Sequence, residues 1–332
     1  MSTLTSPAPA AVEHGSAAPR LTRWLLRLHR PALYLWTGLA VVLGAALLWL
    51  WGPLTDAAAA AWDQYDACRM AAACHYDQDA ILRYKGVDQY TTTVLVALPF
   101  LVAAWAGGAL TGRETENGTT RLAWTQGVSP ARWLATKLSL PAALVTAGTG
   151  LLVLLHHLAW SAGDGRIDTA KPWSDVPTFY AGGPVLVALA LAGLAIGALA
   201  GLVLRNSLGA LVTGACATAC LWAAAHLTMP YLWPTVTAVG DLRSGGAPGS
   251  GITVDTGVLT STGEHLAVPR CGSSTVPECA ALYDRLDAVG LYADYHPRSH
   301  YWPLQLMEAG IVLAVAAAAV TAAFVLLRRR TA

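Results

Sequence analysis

Apolar positions form six long runs along the 332-residue chain, and polar stretches separate them. At about 1.5 Å per helical residue, each run is long enough to cross roughly 30 Å of hydrocarbon. Glu308 is the only formally charged residue in these runs, and it lies near one end of the last. The pattern predicts an all-α integral membrane protein with six transmembrane helices, at 33–51, 91–111, 138–160, 179–204, 207–229 and 306–327.

Composition supports the same class independently of where the runs lie. The chain is 55% hydrophobic and 12% charged, and its mean hydropathy is +0.47. A soluble domain usually carries about 25% charged residues. The composition therefore excludes an ordinary soluble protein.

The charged residues predict the orientation. Six spans place both termini on one side, where the connecting segments carry twelve positive and three negative charges. The other side carries nine positive and seventeen negative charges. Because cytosolic loops are enriched in Lys and Arg, we expect both termini in the cytosol.

The N-terminal region divides into two parts. Residues 1–19 are mostly Ala, Pro, Ser and Thr, which is typical of a disordered cytosolic tail. In 20–30, four arginines recur at helical spacing opposite leucines and Trp24, which predicts an interfacial amphipathic helix. The alternative is a plain cytosolic anchor for the first span. We expect no cleavable signal peptide, because the apolar run after this basic region is long enough to span.

The sequence predicts a large outer loop at 230–305, between helices five and six, with a helix at 277–290. Cys68 and Cys74 fall in the first outer loop, and Cys271 and Cys279 fall in this one. Four cysteines in an oxidising compartment are disulfide candidates, and they allow three connectivities. Pairing within each loop is one of these, and unpaired thiols are the alternative.

Three glycines in the fourth run, Gly193, Gly197 and Gly201, are spaced four residues apart. Glycines at this spacing lie on one helix face and allow the backbone of another helix to approach closely. They predict either a seam between two copies of the chain or an intramolecular helix contact.

A charged segment, residues 112–137, lies between the second and third runs. It carries two acids, several arginines and a Gly-Thr pair, so it must lie in water at the membrane surface. These residues favour a small docking helix over a passive linker, with Gly118 providing a turn. The alternative is an ordinary solvated loop whose arginines anchor the neighbouring spans.

Two sequence blocks resemble ABC transporter permeases of the type-2 exporter class, of the kind common in high-GC Gram-positive bacteria. The first block begins Arg113-Glu114-x-Glu116-x-Gly118-Thr119-x-Arg121-Leu122-Ala123-Trp124. The second reads Tyr295-His296-Pro297-Arg298-x-x-Tyr301-Trp302-Pro303-Leu304-Gln305-x-x-Glu308. The resemblance covers roughly 20–330.

The resemblance implies a permease that exports an amphipathic small molecule, peptide or lipid across a bacterial cell membrane. Its partners would be two ABC ATPase subunits, a second permease copy or paralogue, and the lipid bilayer, with no nucleic acid. ATP and Mg would bind the ATPase, because no lysine here follows a glycine as a phosphate-binding loop requires. The residues expected to couple the chain to the ATPase are Arg113, Glu114, Glu116, Gly118, Thr119, Arg121 and Trp124.

Two other functions compete with the exporter. A membrane redox or metal protein would use His156 and His157, but adjacent helical residues point about 100° apart and cannot easily share one metal. We therefore expect no metal site, and we place both histidines on a candidate substrate path with Glu308. Glu308 would meet a cationic substrate or cap the start of its helix. The third function is a non-transporting sensor whose outer loop, 230–305, binds a ligand.

Overall fold

The computed structural model of the chain describes residues 26–27, 29–68, 74–120, 129–242, 250–268 and 276–331. Among them are six helical segments long and apolar enough to cross a membrane, which confirms the predicted all-α, six-span class. The helix expected at 20–30 lies mostly outside the described residues. We number the segments span 1 to span 6: Arg30–Cys68, Gln78–Glu116, Pro130–Gly163, Pro184–Leu204, Ser207–Tyr231 and Arg298–Thr331.

Spans 1 and 2 are much longer than their apolar runs. Span 1 consists of α-helix Arg30–Trp49, a π-helical turn at Leu50–Leu54 and α-helix Thr55–Cys68. Span 2 begins with α-helix Gln78–Trp105. Each span has 39 residues, about 58 Å, or nearly twice the hydrocarbon thickness. Much of the predicted outer loop at 52–90 is therefore helical.

The ends of these two spans that lie farthest from the charged segment form a helical hairpin. Helix Thr55–Cys68 packs against span 2, and Ala61, Ala80 and Ile81 form a small buried cluster between them. A disulfide joins Cys68 to Cys74 at the tip, with their Cα atoms 5.5 Å apart. The first expected pairing within a loop is thus present, whereas Cys271 and the side chain of Cys279 lie outside the described residues.

Span 4 is the central helix and packs against spans 2, 3, 5 and 6. It begins at Pro184 rather than at 179, because Gly183 is extended and Pro184 occupies the first turn. Phe179 belongs instead to a short preceding helix, Val176–Ala181. Span 4 ends at Leu204, and the left-handed backbone of the next residue, Arg205 (φ 53°), directs the chain into span 5.

The spaced glycines of span 4 face span 2 within the same chain. A Cβ atom at Gly193 would lie 2.5 Å from the carbonyl oxygen of Pro99, and one at Gly197 would overlap the carbonyl oxygen of Ala103. At Gly201 a Cβ atom would lie 2.7 Å from the amide nitrogen of Gly112. The structure thus places these glycines at an intramolecular contact where the two backbones nearly touch.

Polar side chains, Ser129 and Asn206, cap the N-terminal ends of spans 3 and 5. Span 3 is α-helix Pro130–Gly163, and the Ser129 hydroxyl accepts a hydrogen bond from the Arg132 amide at 3.3 Å. Span 5 comprises α-helix Ser207–Thr228 and a 3₁₀ turn at Met229–Tyr231. Span 6 has a 3₁₀ turn at Arg298–His300 and α-helix Tyr301–Thr331, which begins five residues before the predicted 306.

The segment between spans 5 and 6 contains an antiparallel sheet that the sequence pattern did not predict. Its strands are β1 (Val236–Gly240), β2 (Ile252–Thr260), β3 (His265–Ala267) and β4 (Ala288–His296), in the spatial order β1-β4-β2-β3. The helix predicted at 277–290 is present at Val276–Arg285, and it ends earlier because strand β4 begins at Ala288. Strand β4 leads through the turn at Arg298–His300 into span 6, so the sheet is continuous with the membrane part.

Candidate functional site

The charged segment begins where span 2 changes its helical geometry. A π-helical turn covers Ala106–Gly112, and one α-helical turn, Arg113–Glu116, follows it. Gly118 then has φ +69°, a left-handed backbone that suits glycine and supports its interpretation as a turn residue. The described residues of the segment are 112–120 and 129–137, so Arg121 and Trp124 lie outside them.

A largely buried ion pair between spans 2 and 3 stabilises the charged segment. The Lys137 ammonium donates to Glu114 Oε1 at 2.5 Å and to the carbonyl oxygen of Leu110 at 2.7 Å. The Lys137 side chain is 1% exposed and Glu114 is 16% exposed, so the bond is largely shielded from water. The ammonium also lies 5.0 Å from the ring centre of Trp133. Both acceptors belong to the C-terminal end of span 2, so Lys137 attaches that end to span 3.

Glu116 attaches the segment to span 5. Its Oε2 accepts a hydrogen bond from the Ser207 amide at 2.9 Å. Ser207 is the first residue of the span 5 helix, where the amide has no partner within the helix and a negative charge is favourable. Glu116 therefore acts as a carboxylate cap on a helix that lies ninety-one residues further along the chain.

Two threonines attach the segment to span 4. The Thr111 hydroxyl donates to the carbonyl oxygen of Ala198 at 3.0 Å, and the Thr115 hydroxyl donates to that of Gly201 at 3.1 Å. These bonds lie beside the glycine contact, where the absence of side chains lets the two backbones approach. The segment is thus bonded to spans 3, 4 and 5 at once, and a movement of the segment must be transmitted to all three.

The outward side of the segment presents a different set of groups. Arg113, Glu116, Gly118 and Thr119 are exposed. The Thr119 hydroxyl donates to the carbonyl oxygen of Glu114 at 3.2 Å and closes the turn. Of the residues expected to meet an ATPase, Glu114 instead faces Lys137, whereas these four lie on an accessible surface.

A second polar cluster lies at the N-terminal ends of spans 4 and 6, away from the charged segment. The Tyr180 hydroxyl donates to Glu308 Oε1 at 2.7 Å, and both side chains are buried. Gln305 donates from Nε2 to the carbonyl oxygen of Phe179 at 2.6 Å and accepts from the Val185 amide at 3.2 Å. Gln305 thereby satisfies backbone groups left free by the break before span 4, as a low-dielectric environment requires.

Glu308 does not cap the start of its helix, because that helix begins at Tyr301, seven residues earlier. Its Oε2 atom has no hydrogen-bond partner among the described residues. Trp222 and His226 of span 5 stack on each other, with ring centres 5.9 Å apart, and both rings contact Tyr180. The cluster thus combines a buried carboxyl group with aromatic rings, and its role in a substrate path stays a prediction.

The two adjacent histidines have separate environments. His156 is buried, and its Nε2 lies 3.1 Å from the Thr92 hydroxyl. His157 packs against the rings of Tyr301 and Trp302, with centres 6.1 and 5.7 Å away. Within the described part of the chain, no group of three or more His, Cys, Asp or Glu side chains is arranged to hold a metal ion.

Sequence reasoning missed several residues that build the site. The sequence pattern assigned no role to Lys137, Ser207, Thr111 or Tyr180, and it placed Gln305 only in the second block of the family resemblance. One signal was available, because Lys137 stands immediately before an uncharged apolar run and such a lysine requires an acidic partner or a water path. The sequence around Thr111, Ser207, Tyr180 and Gln305 contains no comparable signal.

Comparison with known proteins gives one match. A family model described as "ABC-2 membrane transporter related" matches residues 37–233, more than half of the chain. No curated protein matches the chain. No solved structure matches it either. The matched region contains the charged segment and most of spans 1 to 5, whereas the sheet and span 6 lie beyond it.

Proposed function

Because the chain belongs to the ABC-2 membrane transporter related family, we propose that it is the permease subunit of an ATP-driven exporter. The ATPase is a separate subunit that binds ATP and Mg, and it docks on the charged segment. Two ATPases and a second permease, identical or paralogous, complete the assembly. Both termini lie in the cytosol of a bacterial cell, in agreement with the charge distribution.

The observation that carries the proposal is the bonding of the charged segment to three spans. Lys137, Thr115 and Ser207 each connect the segment to a different helix, at 2.5, 3.1 and 2.9 Å. A passive loop needs no such bonds, whereas a coupling element must transmit force from its docking surface into the membrane. The exposed groups of Arg113, Glu116 and Thr119 provide that surface.

The cargo is an amphipathic small molecule, peptide or lipid. The spans are predominantly apolar, and polar side chains such as Lys137, His156 and Glu308 are buried among them, which suits a molecule with one apolar part and a few polar groups. The glycine face of span 4 is occupied by span 2 and is not available to a second copy. A dimer must therefore use another surface, such as the exposed apolar sides of spans 1, 5 and 6.

The first experiment is isolation of the tagged chain from gently solubilised native membranes, with identification of the proteins that co-purify. We expect a stoichiometric ATPase that carries a phosphate-binding loop. Its reproducible absence from an intact, monodisperse preparation would favour the sensor.

The second experiment tests the docking surface with Glu116→Gln. The amide still accepts a hydrogen bond from Ser207 but loses the charge, so the spans should remain folded. We expect ATPase stimulation by the permease to fall, whereas Asp79→Asn, an exposed acid at the opposite end of span 2, should leave it unchanged. Replacement of Arg121 should resemble Glu116→Gln. Normal stimulation by both variants of the charged segment would refute the docking assignment.

A further inference from the structure

An apolar cavity of about 260 Å³ lies between spans 1, 2 and 3 in the half of the membrane part nearest the charged segment. Its walls include Trp36 of span 1, Leu98 and Trp105 of span 2, and Val145 of span 3. Leu35 and Leu101 also line it, and they are 75% and 55% exposed on the outer surface of the helices. The cavity therefore opens sideways, towards the bilayer.

The depth of the cavity matches one leaflet. On span 3 its lining extends from Lys137 to Val145, and on span 2 from Leu110 to Leu98. At about 1.5 Å per residue these stretches are about 12 and 18 Å long, close to half of a hydrocarbon core of about 30 Å. A molecule that enters from the side and lies along the cavity has the length of an acyl chain in the leaflet nearest the charged segment.

Two titratable side chains, His29 and Lys137, line the cavity at the end nearest the charged segment. His29 lines it there, its ring packs edge-on against Trp105 at 5.7 Å, and its Nε2 has no hydrogen-bond partner among the described residues. Arg27 and Arg30 flank His29 along the chain, and both are exposed. The acid at this end, Glu114, is already paired with Lys137. Burial lowers the pKa of His29 to about 4, so its ring is neutral near pH 7 and can act as a hydrogen-bond donor. Arg27 and Arg30 provide positive charge near this end of the cavity, where the acid Glu114 is already neutralised by Lys137.

From this geometry we infer that the cavity binds one acyl chain of an anionic phospholipid whose phosphate contacts His29, Arg27 and Arg30. A volume of 260 Å³ is below that of a typical ligand pocket, so it accommodates part of a lipid while the second chain stays in the bilayer. The site is independent of the proposed transport function, because it lies within one chain and requires no ATPase.

Any preference of the cavity for one phospholipid over another must come from the lipid headgroup. An acyl chain that moves from the bilayer into an apolar cavity gains no hydrophobic free energy, because lipid tails are as apolar as the lining side chains. Basic residues near a membrane surface, in contrast, each attract an anionic headgroup appreciably. The site should therefore distinguish phosphatidylglycerol from phosphatidylcholine with the same acyl chains.

The test is native mass spectrometry of the full chain, extracted under mild conditions from vesicles of equal phosphatidylglycerol and phosphatidylcholine. We expect the wild type to retain one phosphatidylglycerol per chain. Arg27→Gln/Arg30→Gln should lower its apparent affinity about 30-fold, from the loss of two basic contacts. The control, Arg328→Gln/Arg329→Gln, removes two exposed arginines from the end of span 6 and should retain the lipid.

A second pair of variants tests the cavity itself. Ala32→Trp places an indole among the lining side chains and should displace the lipid, whereas Ala45→Trp, on the exposed side of span 1 outside the cavity, should not. Unfolding temperatures of both proteins establish that they are folded. Three results would each overturn the inference: equal retention by both tryptophan variants, equal retention of the two phospholipids by the wild type, or no retained phospholipid on a folded wild type.

Discussion

The buried pair of Lys137 and Glu114 makes a prediction whose magnitude follows from the structure. Lys137→Met removes the ammonium and leaves a carboxylate and the Leu110 carbonyl without their donor. Breaking a buried ion pair from one side destabilises a protein by about 3–5 kcal/mol. Because Glu114 is 16% exposed and can recruit water, we expect the lower value, about 3 kcal/mol.

Replacing the acid of this pair should lower the stability of the chain more than replacing the lysine does. Glu114→Gln leaves the ammonium of Lys137, which is 1% exposed, without a counter-charge and without access to water. We expect a loss near the upper value, about 5 kcal/mol. The double variant Lys137→Met/Glu114→Gln removes both charges, so it should be more stable than the sum of the single losses predicts, by about 2 kcal/mol.

The assay is reversible unfolding in mixed detergent micelles, followed by circular dichroism for the wild type and the three variants. Arg166→Met is the control, because Arg166 and Asp56 form an ion pair 3.0 Å apart that is 49% and 69% exposed and should contribute less than about 1 kcal/mol. The reasoning would be refuted by additive single losses, or by a Lys137→Met loss no larger than that of Arg166→Met.

Three further predictions concern a close helix contact, the disulfide and the hydrogen bonds of Gln305. The same unfolding measurement checks each of them. Gly197→Ala should destabilise the chain by about 1–3 kcal/mol, because its methyl group overlaps a backbone carbonyl of span 2. Gly310→Ala, with open space around it, should change stability by no more than about 1 kcal/mol, and equal losses for the two would contradict the close contact. Cys68→Ser should lower stability by about 2 kcal/mol under oxidising conditions and should have no effect after reduction of the wild type, because the bond to Cys74 closes a short loop. Gln305→Leu should cost at least about 2 kcal/mol, since it leaves a buried carbonyl and a buried amide unpaired; a neutral result would show that water replaces the amide.

The sequence predicts the number of spans well because burial in lipid acts on each helix separately. A run of apolar residues is sufficient evidence, whatever it later packs against. The ends of the spans are harder to predict from the sequence, because a helix can continue beyond the membrane into water. Thr55–Cys68 is rich in alanine and polar residues, so its composition gives no transmembrane signal although its helix continues span 1.

The sheet could not be predicted because its strands pair with partners that are distant in the sequence. Strand β2 pairs with β4 in a register that joins Gly257 to Tyr292, residues thirty-five positions apart. Neither strand has a clean alternation of apolar and polar residues, and Gly257 weakens the pattern further. Pairing of this kind depends on partners that are distant in the sequence, and a local pattern does not reveal them.

The charged segment can be recognised in the sequence, but its bonds to the other spans cannot. The charges of 112–137 and the turn at Gly118 can be inferred from composition. In contrast, Glu116 meets Ser207 and Thr115 meets Gly201 across more than eighty residues. Only the packed arrangement of spans 2, 4 and 5 brings these groups together, so the distinction between an anchoring acid and a docking acid requires the structure.

The two-residue turn between spans 4 and 5 constrains how the chain is made. Arg205 and Asn206 alone separate the helices, so the pair must leave the ribosome and enter the membrane almost as one unit. Span 6 ends a hundred residues after span 5, a delay of roughly 5–20 s at ordinary rates of synthesis. Throughout that interval the span 4 face that will meet span 6 has no partner from its own chain. The nascent permease is then most exposed to chaperones, to proteases and to incorrect association with another copy.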